Sequence, residues 1–163
     1  MPSKYFNKIP DPSKWDQRFF SMCHLIASWS EDKSRQVGAV LVGPDKEVRS
    51  IGFNGLPRGI FSDIEKRHSS KNGEKYYWFE HAERNAIYNA ARAGIATKNC
   101  EMYCTVFPCS DCLRAIIQSG IVKLHTFVPP KDDKYFRRSF EVSIEMAKEV
   151  GLEIVFYSGK HLS

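Results

Sequence analysis

Three helix-forming stretches in the second half of this chain each stop at a glycine and each lead into a short strand-like run. That order restricts the fold more than any other feature. Residues 80–93 close at Gly94 before 102–107, residues 110–119 close at Gly120 before 121–128, and residues 135–150 close at Gly151 before 152–157. A glycine just past a helix takes the left-handed conformation that ends it. Upstream, Trp15, Phe19, Met22, Cys23, Ile26 and Trp29 recur at helical spacing behind Ser13, a candidate N-cap. Residues 36–42 and 48–53 flank the Gly43-Pro44-Asp45 turn and read as a hairpin. Helices alternating with strands after an opening hairpin predict an α/β chain, three layers (α/β/α) around a mixed sheet of about five strands. The glycine- and proline-rich stretch 54–59 reads as a loop at a strand end. The charged stretch 62–75 reads as one helical turn followed by the Asn72-Gly73 turn.

At 163 residues, the chain is expected to form a single domain over 1–163 with its core at about 13–158. Hydrophobic residues at 42% and charged residues at 26% exclude a disordered, collagen-like or coiled-coil chain. No apolar run approaches the 18 or so residues that span a bilayer, and the first twelve residues are polar and proline-punctuated without the apolar stretch of a secretion signal. The expected address is the cytoplasm, the host's if the chain is viral. The net charge of +5 is mild: it reads first as ordinary solvated surface and second as attraction to a phosphate-bearing ligand, and by itself it separates no nucleotide from a nucleic acid. Five cysteines, an odd number without a secretion signal, argue for metal binding or reduced core thiols over a disulfide framework.

The chemistry-bearing residues are His81-Ala82-Glu83 at the start of one helix and Pro108-Cys109-Ser110-Asp111-Cys112 at the start of the next. Each motif alone is weak: a lone Cys-x-x-Cys serves redox, structural and chance purposes alike, and a lone histidine at a helix start is more often a cap or a surface residue. Together they offer one imidazole and two thiolates, a set that suits Zn²⁺ and leaves its fourth tetrahedral position for water. Helix N-termini favour the thiolate forms of Cys109 and Cys112. Glu83 is placed to face the same water as a proton shuttle. His-x-Glu followed by Pro-Cys-x-x-Cys is the signature of zinc nucleobase deaminases.

With these motifs, Ser34-Arg35-Gln36-Val37-Gly38-Ala39-Val40 and Gly52-Phe53-Asn54-Gly55-Leu56-Pro57, the chain resembles the cytidine and deoxycytidylate deaminase family over about residues 15–120. Gly52-Phe53-Asn54-Gly55 is similar to the Gly-Tyr-Asn-Gly loop of the dCMP branch. The resemblance implies a cytidine-deaminase-like fold and zinc-dependent hydrolysis of dCMP to dUMP and ammonia, supplying dUMP for thymidylate synthesis. It implies that His81, Cys109 and Cys112 bind one catalytic zinc, that zinc-activated water attacks C4 while Glu83 donates to N3, that Asn54 bonds the sugar, and that the backbone around Ala82 and Pro108 reads the base edge. It also implies a homo-oligomer, a hexamer or a dimer, with dCTP and dTTP as effectors near Gly55 and Arg58. Many relatives carry extra cysteine and histidine for a second zinc between the loop and the His-Ala-Glu helix. Residues 58–80 here hold only His68, so one zinc per chain is expected.

Arg35 is the candidate phosphate clamp, a planar guanidinium suited to that anion, with Lys131, Lys134, Arg137 and Arg138 competing. Cys104 and Cys23 read as small core residues, Cys100 as partly exposed, and His24, His68, His125 and His161 as structural or surface residues. The aromatic set Phe53, Tyr76, Tyr77, Trp78 and Phe79 reads mainly as core, with one or two members available to stack on a pyrimidine. Three other readings remain open at this stage: a deaminase of another cytosine or purine nucleoside or base, a nucleic-acid-editing deaminase, and a zinc-stabilised interaction protein. The absence of a basic tail argues against a nucleic-acid partner, and the intact Glu83 against a purely structural site.

Overall fold

A computed structural model of the protein describes residues 9–130, 133 and 135–158. Five strands form one sheet in the order β2-β1-β3-β4-β5, with β1 Gly38–Val42, β2 Val48–Phe53, β3 Glu101–Cys104, β4 Lys123–Phe127 and β5 Glu153–Tyr157. The β1–β2 and β1–β3 pairs are antiparallel, while β3–β4 and β4–β5 are parallel. The mixed five-strand sheet expected from the glycine-stopped helices is therefore present. Gly94, Gly120 and Gly151 follow their helices with φ of 67°, 75° and 70°.

Strand alternation sorts the core into two faces. Ala39, Leu41, Met102, Cys104, Leu124 and Phe156 point to one face, which α3 (Ala82–Arg92), α4 (Ser110–Gln118) and α5 (Arg137–Val150) cover. Val40, Val42, Tyr103 and Tyr157 point to the other, covered by α1 (Lys14–Ala27). Ser13 is the N-cap of α1 as expected, in a capping box with Asp16. The inward stripe of α1 differs from the one its spacing predicts. Phe19, Phe20, Cys23, Ile26 and Ala27 are buried, whereas Trp15, Met22 and Trp29 are exposed. Hydrophobicity alone does not tell the two apolar sides of such a helix apart. Packing on Tyr103 and Tyr157 selects the side that carries Phe20.

Two further corrections concern local structure. The strand predicted over 102–107 runs from Glu101 to Cys104, so that Thr105–Phe107 leave the sheet and lead to the metal-ligand motif. The stretch 62–75 contains two 3₁₀ turns, Glu65–His68 and Lys71–Gly73, followed by the single-turn α2 (Lys75–Trp78). Cys100, expected to be partly exposed, is fully buried against the α3–α4 face. All five cysteines are free.

One glycine matters directly for the site. A Cβ at Gly52 of β2 would lie 2.3 Å from both the Ala82 carbonyl oxygen and the Ala86 nitrogen, so only glycine lets α3 lie this close to the sheet. Side chains complete the docking. Asn85 and Asn89 of α3 donate to the Phe53 and Ile51 carbonyls, and Ser50 donates to the Ala86 carbonyl. The N-terminal end of α3 is thereby held at the end of β2, where His81 begins the helix.

A metal-ligand trio beside an aromatic-walled cavity

His81 and Cys109 occupy the N-cap positions of α3 and α4, and neither uses its side chain as a cap. The ring and the sulfur stay available. The Glu80 carboxylate takes over part of the capping by accepting from the His81 backbone N–H at 2.9 Å. His81 Nδ1 lies 3.5 Å from Cys109 Sγ and 3.3 Å from Cys112 Sγ. A tetrahedral zinc with Zn–N of ~2.1 Å and Zn–S of ~2.3 Å would hold nitrogen and sulfur about 3.6 Å apart. The donor set and its spacing therefore fit this ion, and among the described residues His81, Cys109 and Cys112 form the group of three placed to hold a metal. The sequence left open which ring nitrogen serves. The structure presents Nδ1.

The groups of the site shift one another's protonation. A hydrogen bond from Cys112 brings the Cys109 thiol down to about 4, with burial opposing and His81 assisting. Cys112 retains its proton far above the ordinary thiol range, held first by that bond to Cys109 and then by burial. The bond to Cys109 raises the His81 imidazolium, against burial. Burial likewise raises the Glu83 carboxyl, with His81 opposing. Glu83 is a buried carboxyl at the first turn of α3, beside the trio.

His81, Cys109 and Glu83 line a cavity of about 270 Å³, while Cys112 is fully buried and outside its lining. Ala82, Val106 and Phe107 belong to the same lining, and Tyr76, Phe79, Tyr135, Phe136 and Phe140 form aromatic walls. The lining also has a polar end made of Asp32, Ser34, Arg35, Asn54, Ser70 and Lys75. Of the residues singled out by sequence, Asn54 and Arg35 reach this polar end. The Asn54 amide is already engaged: Oδ1 accepts from the Val37 N–H at 2.7 Å, while Nδ2 donates to Asp32 and to the Arg35 carbonyl. Its remaining capacity is the second lone pair of Oδ1, an acceptor for a hydroxyl. Arg35 is half exposed and pairs with Asp133 at 3.3 Å.

Pro108, Gly55 and Arg58 do not line the cavity. The Pro108 carbonyl accepts from Ser143, Gly55 pairs its backbone with Glu80, and Arg58 Nη2 donates to Asn89 on α3. Arg137 and Arg138 pair with Glu141 on α5, an ordinary solvated helix face, and Lys131, Lys134 and His161 lie outside the described residues. Of the aromatic set, Tyr76 and Phe79 reach the cavity, and Tyr77 is exposed.

Sequence reasoning missed the centre of the polar end. Lys75, buried, bonds both Asp32 oxygens at 3.1 and 2.8 Å and the Ser34 hydroxyl. Asp32 also accepts from Ser34 and Asn54, and these bonds hold its carboxyl below the usual range although burial pushes the other way. The one available signal was a lone lysine leading an aromatic segment, Tyr76 to Phe79.

A mixed sheet that brings two helix starts together around an imidazole, two thiols and a buried carboxyl defines the scaffold of a zinc-dependent deaminase. The family model for the cytidine and deoxycytidylate deaminase zinc-binding region matches residues 13–128. The chain belongs to this family, whose cofactor is zinc. An uncharacterized deaminase in the luxG 3′ region of Aliivibrio fischeri is 37% identical, covering 88% of this chain and 94% of that protein. The deoxycytidylate deaminases of Mus musculus and Homo sapiens are 38% and 37% identical over 117 residues, and the match takes in 70% of this chain and 65% of theirs. The structure of the cyanophage S-TIM5 dCMP deaminase in complex with dCMP and dUMP superposes with a TM-score of 0.70 at 23% identity. It covers 89% of this chain and 98% of that one, which establishes the common fold.

Proposed function

We propose that this chain hydrolyses dCMP to dUMP and ammonia. The observation that carries the reading is one cavity lined both by His81, Cys109 and Glu83 of the metal site and by the hydrogen-bonding, cation-bearing group of Asp32, Asn54, Arg35 and Lys75. A pyrimidine fits beside the first group and a sugar phosphate beside the second. Zinc on the trio supplies a Lewis acid that brings the pKa of a water from ~15.7 toward ~7. His81, Cys109 and Cys112 hold that centre at the cavity wall. Glu83 takes one proton from the water as a carboxylate, holds it as the acid that burial favours, and delivers it to N3 of the cytosine. Glu83 then takes the second proton of that water from the hydroxyl now on C4 and hands it to the amine nitrogen as the C4–N bond breaks. Ammonia leaves and the oxygen stays on C4 as a carbonyl. The aromatic walls from Phe79, Phe136 and Phe140 exclude bulk water around the base. At the polar end, Asn54 Oδ1 accepts from a sugar hydroxyl and Arg35 meets the phosphate.

The same reading includes a homo-oligomer, a hexamer or a dimer, since the outer face of α1 exposes Trp15 and Leu25 and the turn after it exposes Trp29. It includes dCTP and dTTP as effectors near Gly55 and Arg58, a single deaminase domain over the whole chain, and a cytoplasmic address. Among the described residues no helix is long and apolar enough to cross a membrane.

Ammonia release from dCMP, CMP, deoxycytidine and a cytosine-containing single-stranded oligonucleotide, each with and without dCTP on zinc-quantified protein, tests the proposal. Turnover of dCMP with little on deoxycytidine is expected. Silence on every monomer from protein holding one zinc per chain overturns the choice of substrate.

A further inference from the structure

We propose that Ser139 and Ser143 of α5 are positioning residues for the metal centre, holding the turn that carries Cys109 so that both thiols face His81. The inference rests on zinc at the trio and is independent of which base is deaminated.

The motif that supplies Cys109 is clamped on both sides by one helix. Ser143, fully buried, donates to the Pro108 carbonyl at 3.0 Å. Ser139 Oγ accepts from the Ser110 backbone N–H at 2.7 Å and donates to Ser110 Oγ at 3.0 Å. Pro108 and Ser110 are the two chain neighbours of Cys109. Proline has no N–H, so the carbonyl is the only backbone hydrogen-bonding group through which residue 108 is held. Four residues apart on a helix, the two serines share one face.

The reason for help from another helix lies in the metal chemistry. A helix start leaves its first N–H groups unpaired, and the side chain at the N-cap ordinarily accepts from one of them. Here the N-cap is Cys109, and its side chain makes no capping bond. Its sulfur faces His81 instead. Ser139 of α5 accepts instead from the first of those N–H groups, that of Ser110.

The register of α5 is set by packing around the same centre. Phe140 meets Phe107 edge-on at 5.5 Å, and Phe136 meets the His81 ring at 6.4 Å, while Ile144 and Ala147 bury in the same core. Helix α5 lies beyond residue 128, where the family match ends. The ligands thus come from the matched region, and two of the groups that aim them come from outside it.

The test uses the full-length zinc-loaded protein and the variants Ser139→Ala, Ser143→Ala, their combination, Ser139→Thr and, as a packing control, Ile144→Val. Three properties are read: the rate of zinc release to excess chelator, the absorption of the cobalt-substituted protein, and the melting temperatures of metal-free and metal-loaded forms. Loss of groups that orient metal ligands typically costs 10–100-fold in affinity or activity. The double variant should therefore release zinc about 10–100-fold faster. Its thiolate-to-cobalt band should change and the melting-temperature gain on metal loading should shrink. Ser139→Thr, which keeps the hydroxyl, should stay near the unsubstituted protein. Ile144→Val should lower both melting temperatures alike and leave release unchanged.

Unchanged zinc release and cobalt absorption in the alanine variants, with both melting temperatures lowered equally, would overturn the proposal and reduce the serines to packing. Should the double variant not fold, Ser139→Ala alone decides, since Ser139 is only partly buried. An unsubstituted protein that takes up no zinc would overturn the metal reading itself, a separate result.

Discussion

His81 and His125 are both packed into the protein on opposite faces of one sheet, and their surroundings make different residues of them. The His125 ring stacks on Tyr103 with centroids 4.0 Å apart. Its Nδ1 lies 3.0 Å from the Tyr157 hydroxyl and its Nε2 lies 3.0 Å from Glu101. Both nitrogens are taken, so nothing remains for a ligand. Burial pushes its imidazolium down, although Glu101 and Asp16 pull the other way. His81 instead turns Nδ1 toward two thiols at a cavity wall, and the bond to Cys109 raises its imidazolium. A histidine becomes a metal ligand when its nearest partners are themselves donors to a cation, and a structural residue when they saturate it.

The largest expected effect tests the catalytic side. Glu83→Gln should retain one zinc per chain and lose about 10²–10⁴-fold in turnover of dCMP; near-normal turnover would remove the assigned proton shuttle. His81→Ala should lose zinc as well as activity, measured by metal analysis. His125→Gln should keep both, and a zinc-free His125→Gln protein would break the comparison.

The next effect concerns the buried ion pair at the polar end. Lys75→Met leaves the Asp32 carboxylate buried without its cation, a change that should cost about 3–5 kcal/mol in urea unfolding. The combination with Asp32→Asn should recover part of that loss. Equal losses in single and double variants would show that the pair is not the reason for the cost.

A smaller effect separates the histidines by pH. His125→Gln should cost about 1–3 kcal/mol by stranding Tyr157 and Glu101, and a protein of this size melts about 2–4 °C lower per kcal/mol. Because the folded state holds His125 below its unfolded value, the unfolded chain takes up the proton first as pH falls. The stability from neutral His125 is therefore complete above pH ~6.5 and is lost below it, toward the depressed folded value. Subtracting the His125→Gln profile from that of the unsubstituted protein should isolate this slope, and identical profiles would refute it.

The smallest change in stability should follow Arg35→Ala. Its ion pair with Asp133 joins a side chain that is 48% exposed, and such pairs contribute about 0–1 kcal/mol. If Arg35 meets the phosphate, the KM for dCMP should nonetheless rise about tenfold or more, the scale of a lost charge-assisted hydrogen bond. An unchanged KM would pass the role to the Lys75 region.

What could be read in advance divides by sequence distance. His81 and Glu83 are two residues apart, Cys109 and Cys112 three, and each pair sits at a helix start that local composition announces. Lys75 meets Asp32 across 43 residues and Ser143 meets Pro108 across 35. No periodicity connects such partners. Phe20 was overlooked for a related reason: Trp15, Met22 and Trp29 keep helical spacing as well as the buried residues do, and only the aromatic residues of the sheet show which side of α1 turns inward.

The amino-acid sequence by itself determined the order of helices and strands, the glycine stops and the metal-ligating residue types, because each depends on a few neighbouring residues and their backbone preferences. Only the tertiary structure decided that Nδ1 of His81 faces the sulfurs, that Lys75 and Asp32 pair in the cavity lining, and that α5 bonds the turn carrying Cys109 on both sides. These are contacts between segments far apart in the chain, set by how whole faces pack together, and no local rule contains them.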